Sequence, residues 1–193
     1  MRHALACMQF VFAAGEYAGE LKSDVLRLKN GNDRRIAIKL GRMLVPVVAN
    51  WSVDYITWAP TTRGRRRTRG FDHAELIARA VGKDLGVRTL PLLRREDAIA
   101  QQGRNRAERV LGPVMVARPR VFAKRVVVVD DVVTTGATLF ACESALWHAG
   151  ASDVLLVAVA RTHSSIVCDT KDEYLPNKQV GNGPRRVPRG AQR

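Results

Sequence analysis

Of the 193 residues only three are cysteine, Cys7, Cys142 and Cys168, and they stand far apart. No Cys-x-x-Cys pair exists, so neither a zinc ribbon nor a disulfide framework is supported. Such sparse cysteine usage reads as cytoplasmic. Aromatic residues make up 6% of the chain and rarely interleave with its basic runs, which argues against a platform for stacking nucleic-acid bases. No stretch approaches the roughly 20 apolar residues of a membrane span. Ala4 to Ala14 is apolar except for Gln9 and resembles the core of a signal peptide. The residues after it already read as folded domain, so no membrane insertion is expected. No Gly-x4-Gly-Lys-Ser/Thr sequence occurs, which excludes a P-loop nucleotide site. Internal repeats are absent too. Acidic residues are scarce: 18 Asp and Glu stand against 32 Lys and Arg, a net charge of +14. That excess suits an anionic partner, either a polyphosphate or a nucleic acid.

The length fits one domain, and a hydrophobic fraction of 46% can fill its core. The most informative stretch runs from Arg125 to Leu139. Val126 to Val129 show no polar alternation, the pattern of a parallel strand buried on both faces. Asp130 and Asp131 follow at once, then a loop of small residues: Thr134, Thr135, Gly136, Ala137 and Thr138. Leu139, Cys142 and Leu146 share one helical face, and Gly150 is placed to end that helix. A second apolar run, Val154 to Ala160, completes a parallel strand-helix-strand unit. The fold class expected is therefore α/β.

The order of these parts dictates chemistry. A loop between a strand end and a helix start offers unpaired backbone N–H groups and a favourable dipole to an anion. Threonine hydroxyls add donors, and Gly136 lets the backbone curl closely. Such a cradle suits a phosphate monoester. Two carboxylates cannot favour a second phosphate directly; they suit sugar hydroxyls, or a magnesium ion held through water. A phosphate at one end and a diol at the other describe a ribose 5-phosphate. Each piece alone also fits a plain turn or a helix cap. The order of the pieces is what carries the inference.

Elsewhere the pattern is coarser. Residues 4–14 are expected to form a strand or hairpin at the domain edge, with a turn at Tyr17 and Gly19. Leu21, Val25 and Leu28 mark one helix, broken at Asn30-Gly31-Asn32. A second helix buries Ile36, Leu40, Met43, Leu44 and Val47, and Pro46 should kink it or end it early. Ile56 to Ala59 reads as a short strand whose end leads into Pro60, Thr61 and Thr62. Five arginines crowd the seven residues from Arg63 to Arg69. They form either a pyrophosphate clamp behind that loop or a solvated basic segment. Asp72 is a helix cap with Glu75 folding back on it as in a capping box. Leu76, Ile77, Ala80, Val81 and Leu85 follow as its stripe, and Gly86 ends it. His73, in the first turn, reads as a surface residue. Leu90 to Leu93 and Val114 to Val116 are candidate strands. The polar stretch 94–112 between them suits either a lid over a ligand or plain disorder. Residues 162–193 read as a flexible basic tail, either inert or in contact with nucleic acid.

The apolar run, acidic pair, two further apolar residues and Thr-Thr-Gly-Ala-Thr together resemble the signature of type I phosphoribosyltransferases, which bind phosphoribosyl pyrophosphate (PRPP). Tyr17-Ala-Gly-Glu-Leu-Lys22, Leu28-Lys29, Arg69-Gly-Phe-Asp-His-Ala-Glu-Leu76, Gln101-Gln-Gly103 and Ala107-Glu-Arg109 follow in the order seen in one branch of that superfamily. This is the ComF family, linked to competence and DNA uptake. The resemblance covers roughly residues 4–161. It implies the type I phosphoribosyltransferase fold: a twisted, mostly parallel sheet flanked by helices, with residues 1–50 as a hood and 51–161 as the core.

It further implies that Asp130 and Asp131 are the catalytic acids, holding the ribose hydroxyls and Mg²⁺ through ribose or water. Thr134 to Thr138 would hold the 5-phosphate, and Pro60, Thr61, Thr62 and Arg63 the pyrophosphate. Gln101, Gln102, Arg106 and Arg109 would belong to a mobile loop. The implied activity is transfer of phosphoribosyl to an unidentified nitrogenous base. The alternative is a non-catalytic PRPP sensor, or an adaptor for single-stranded DNA among other competence proteins. A homo-oligomer is compatible with either. The chain departs from the family pattern in lacking an opening Cys-x-x-Cys finger. It also has Asp72-His73 in place of Asn-Gln, Arg104 in place of Leu and Gly112 in place of Asn.

Overall fold

The computed structural model describes residues 10–31, 33–62, 64, 67, 70–96, 113–162 and 168–169. The elements run β1 (Phe12–Glu16), α1 (Gly19–Gly31), α2 (Arg34–Ala49), β2 (Tyr55–Trp58), α3 (His73–Leu85), β3 (Leu93–Arg95), β4 (Met115–Ala117), β5 (Arg125–Val133), α4 (Ala137–His148), β6 (Asp153–Arg161) and β7 (Cys168–Asp169). Five strands form one sheet in the order β2-β5-β6-β1-β7, and every pairing in it is parallel. The α/β fold class expected from the sequence is therefore the one observed.

The valine run explains the layering. Val127 and Val129 of β5 pack with Leu155, Val157 and Val159 of β6 beneath α1, α2 and α3. Val126 and Val128 turn the other way and meet Leu156, Ala158 and the α4 residues Leu139, Cys142 and Leu146. Both faces of the two strands are covered, so neither needs a polar face, and period-2 alternation is absent. Cys142 is fully buried, a packing residue as expected.

Several expectations shift. The first strand begins at Phe12 and lies between β6 and β7, not at the sheet edge. Phe12 stands opposite Val157 of β6 on one side and Cys168 of β7 on the other, which makes β1 an inner strand. Residues 4–9 of the expected strand lie outside the described residues. Pro46 does not end α2, which continues to Ala49. Pro46 and Arg42 are both exposed, so the carbonyl of Arg42, which loses its intrahelical donor, can turn to water. Met43, expected inside, is 37% exposed. Gly41 faces α3 instead: a Cβ there would stand 2.8 Å from Ala80 Cβ and 3.1 Å from the Ile77 carbonyl. The two helices cross that closely because no side chain intervenes.

The strand expected at Leu90–Leu93 begins only at Leu93 and pairs antiparallel with β4. Thr89 makes an isolated parallel bridge to Ile56. Gly86 closes α3 with a left-handed φ of 67°, and Gly150 follows α4 at φ 85°. Among the described residues, no helix is long and apolar enough to cross a membrane.

Candidate functional site

Parallel strands put all their carboxyl ends on one edge. Trp58 pairs with Val129, and Ala59 N–H donates to the Val129 carbonyl at 2.9 Å. The chain leaving β2 through Pro60 and Thr61 therefore emerges beside Asp130, as the sequence required. The acidic pair itself is not beyond the strand but inside it. β5 continues to Val133, with Val132 opposite Ala160 and Val133 opposite Arg161. Neighbouring strand residues point to opposite faces. Asp131 meets α1, where Lys29 Nζ stands 3.1 Å from its Oδ2. Asp130 turns toward the loop that opens α4 and lines the small cavity there with Val132 and residues 133–139.

The cradle follows from Gly136. Its φ of 77° is left-handed, and a Cβ would fall 2.5 Å from the Phe140 ring. Only glycine fits both the conformation and the space. Ala137 N–H donates to Thr135 Oγ1 at 3.4 Å, and Phe140 N–H to the Gly136 carbonyl at 2.9 Å. Thr134, Thr135 and Ala137 are exposed, and Thr138 is half-buried. Hydroxyls and first-turn N–H groups thus surround a cavity of about 40 Å³.

An adjoining cavity of about 220 Å³ is lined by Lys29, Pro60, Thr61, Asp72, Asp130 and Asp131, among others. Asp72 is 5% exposed. Its Oδ2 accepts the Thr61 N–H at 2.9 Å and its Oδ1 accepts the Ala74 N–H at 3.2 Å. One carboxylate therefore caps α3 and holds the loop after β2 in place. Glu75 is engaged one turn on, by Arg79 Nε at 3.0 Å and Nη2 at 2.8 Å. Burial pushes the Asp72 carboxyl above its usual range, against the pull of its two N–H donors. Asp130 is pushed well up, first by burial and then by the neighbouring Asp131 charge. Its Oδ1 accepts the Asp131 N–H at 2.8 Å.

His73, expected at the surface, is only 6% exposed. It lines the same cavity and meets the Phe71 ring edge-on at 5.3 Å between centroids. The cause is α3: its first turn lies over the β2 edge, so a polar N-terminal residue is enclosed there. Arg95, at the end of β3, also lines the cavity. Sequence reading missed Lys29 and Arg95 as site residues. Leu28-Lys29 had a signal only as a piece of family pattern, because its contact with Asp131 is remote in sequence. Arg63, Gln101, Gln102, Arg106, Arg109 and the tail lie outside the described residues, apart from Thr162, Cys168 and Asp169.

A larger groove of about 810 Å³ runs between β4 and α4, past Val114, Val116, Phe140 and Ala141. Ser144 and His148 line it but none of the acids does, so the polar cavity is the candidate site. The donors there are carboxylate oxygens, which suit a hard divalent cation such as Mg²⁺. Among the described residues no three His, Cys, Asp or Glu side chains are grouped closely enough to cage a metal. The residues fit an ion held partly by water or by a ligand's oxygens.

Parallel sheet, acidic strand end and threonine loop together make an α/β protein with the arrangement that the phosphoribosyltransferase resemblance led one to expect. The chain is 32% identical over 105 residues to Competence protein ComFC of Streptococcus pneumoniae, which covers 53% of this chain and 46% of that protein. The ComF resemblance read from the motifs is borne out by that match, although the chain spans less than half of the relative. No protein-family model matches. Among solved structures, the chain is similar to a glutamine PRPP amidotransferase from B. subtilis, with 24% identity and a TM-score of 0.48. That alignment covers 63% of this chain and 25% of the other. A purine phosphoribosyltransferase from Pyrococcus horikoshii aligns at 18% identity and a TM-score of 0.45, covering 72% of this chain and 90% of the other.

Proposed function

We propose that this protein binds Mg²⁺–PRPP and transfers its phosphoribosyl group to a nitrogenous acceptor. The observation that carries the reading is the meeting of three parts at one sheet edge: the Asp130–Asp131 pair, the Thr134–Thr138 cradle and the Pro60–Thr62 loop. The cradle takes the 5-phosphate through N–H groups and hydroxyls. The acids take the ribose hydroxyls, and the β2 loop, with Arg63 behind it, takes the pyrophosphate. Asp72 keeps that loop in register by its bond to Thr61. Bound Mg²⁺ supplies charge neutralisation to the leaving pyrophosphate.

In the reaction the bond from C1 to the pyrophosphate oxygen breaks and a nitrogen–C1 bond forms. The acceptor nitrogen gives up a proton to solvent or to the departing pyrophosphate, which leaves. Positive charge builds on the ribose ring, and Asp130 and Asp131 stabilise it where it develops. Neither needs to act as a base. Arg94 and Arg95 of the expected lid 94–112 belong to β3; the rest of that segment, with Gln101, Gln102, Arg106 and Arg109, closes over the ligand in this reading, and the first fifty residues select the acceptor. The test is pyrophosphate release from Mg²⁺–PRPP with a panel of purine and pyrimidine bases. Release with one base supports transfer; none with any base contradicts it.

A second reading draws on the net charge of +14 and on the name of the competence relative. In it the domain is a cytoplasmic PRPP sensor or single-stranded-DNA adaptor for DNA uptake, with competence proteins as partners. Salt-dependent binding of single-stranded DNA without turnover on any base selects this alternative.

A further inference from the structure

Lys29 sits at a place the transfer reading leaves without a role. It belongs to the last turn of α1, the helix that leaves the end of β1 and carries this lysine across β6 to the end of β5. Its side chain is 26% exposed and that of Asp131 15%, so their 3.1 Å ion pair is partly shielded from water. Both residues line the cavity with Asp72 and Asp130. Three carboxylates thus line one small polar space with two cationic side chains, Lys29 and Arg95, and Lys29 is ion-paired with one of the acids.

Lys39 gives the contrast. Its Nζ lies 2.6 Å from Asp24 Oδ2 and 2.6 Å from Glu20 Oε1. That pair ties α2 to α1 and is not part of the cavity lining. A lysine holding two helices together needs no acid from the sheet edge. A lysine directed at one of the two ribose-facing acids has a different consequence.

We propose that Lys29 is a positioning residue that acts as the site's internal counter-cation. It holds Asp131 in the absence of ligand and yields that carboxylate when a divalent cation with its sugar phosphate arrives. The inference rests on the sugar-phosphate reading of the cavity. A flexible ammonium suits the role, since it can swing from Asp131 toward an incoming phosphate oxygen without breaking a planar, two-point contact. The arrangement also keeps three carboxylates from facing one another uncompensated.

The experiment is Mn²⁺ binding to the full chain, followed by electron paramagnetic resonance without PRPP. Lys29→Met should bind Mn²⁺ about 10-fold more tightly than the parent, because a competing cation at short range is gone. Lys29→Arg, which keeps the charge and can grip the carboxylate at two points, should bind Mn²⁺ no more tightly than the parent. Lys39→Met, which removes the same charge from a half-exposed pair outside the cavity lining, should stay within about twofold, since water and salt screen an exposed charge more than a shielded one. If Lys29→Met does not fold, Lys29→Gln carries the same expectation. Unchanged or weaker Mn²⁺ binding on loss of Lys29 overturns the proposal. Equal tightening in Lys39→Met, or no Mn²⁺ uptake by any of the proteins, does so too. A parallel titration of the parent with Mg²⁺–PRPP separates the two failures. Binding there with no Lys29 effect sinks only the counter-cation role; no binding there sinks the site itself.

Discussion

Asp130 shows what the site demands of one residue. It is enclosed at the end of β5, beside a second acid, and both circumstances raise its proton affinity. A protein selected only for stability would place an amide there. Asp130→Asn should therefore fold at least as well as the parent, since an asparagine oxygen can still accept the Asp131 N–H. It should weaken Mg²⁺–PRPP binding on the order of 10- to 100-fold, the range for losing a charged hydrogen-bond partner. Calorimetry paired with thermal melting checks both halves. Gly136→Ala should fail differently. Left-handed backbone and a blocked Cβ position cost the fold about 1–3 kcal/mol and distort the cradle, seen as a lower melting temperature with weakened binding. At this scale the sequence was legible where chemistry is local. Asp130, the threonines and Gly136 sit within one short stretch, and a strand-loop-helix turn fixes their order. Lys29, His73 and Arg95 were not legible as site residues, because each reaches the cavity through the packing of a different element.

Helix α2 against α3 shows the same division among elements. The valines of β5 announced a strand covered on both faces, and apolar stripes announced the helices. Gly41 gave no such signal: a glycine inside a helix looks like a weakness until the facing Ala80 is seen 2.8 Å from where its Cβ would be. Nor could the first strand's place in the sheet be read, since apolar residues suit an edge or an inner strand alike. Leu44, fully buried between these layers, should cost about 2–5 kcal/mol as Leu44→Ala, measured by urea unfolding.

Glu143 of α4 provides a pH test. It is 8% exposed, and burial raises its carboxyl above the ordinary 4.5, against a hydrogen bond from Trp147. A folded-state value above the unfolded one means the native chain binds the extra proton. Stability from this residue is greatest below the unfolded value and falls as pH rises through the folded one. The melting temperature of Glu143→Gln should therefore fall less than that of the parent between about pH 4 and about pH 7.

The molecule as a whole carries a charge of +14, which draws any polyanion to its surface. That attraction is diffuse and screened by salt, whereas a ligand seated between the threonine cradle and the acids is held by short, directed contacts. Binding of single-stranded DNA should fall steeply between about 50 and 200 mM salt. Binding of Mg²⁺–PRPP should change far less over that range. Composition predicts an attraction to anions, but only folding decides which anion finds a fitted place. The measurement that bears most directly on that place is calorimetric titration of Mg²⁺–PRPP into the parent and into a folded Asp130→Asn/Asp131→Asn double variant. Saturable binding by the parent and its loss in the variant is the predicted result. Equal binding by both, or none by the parent, would contradict it.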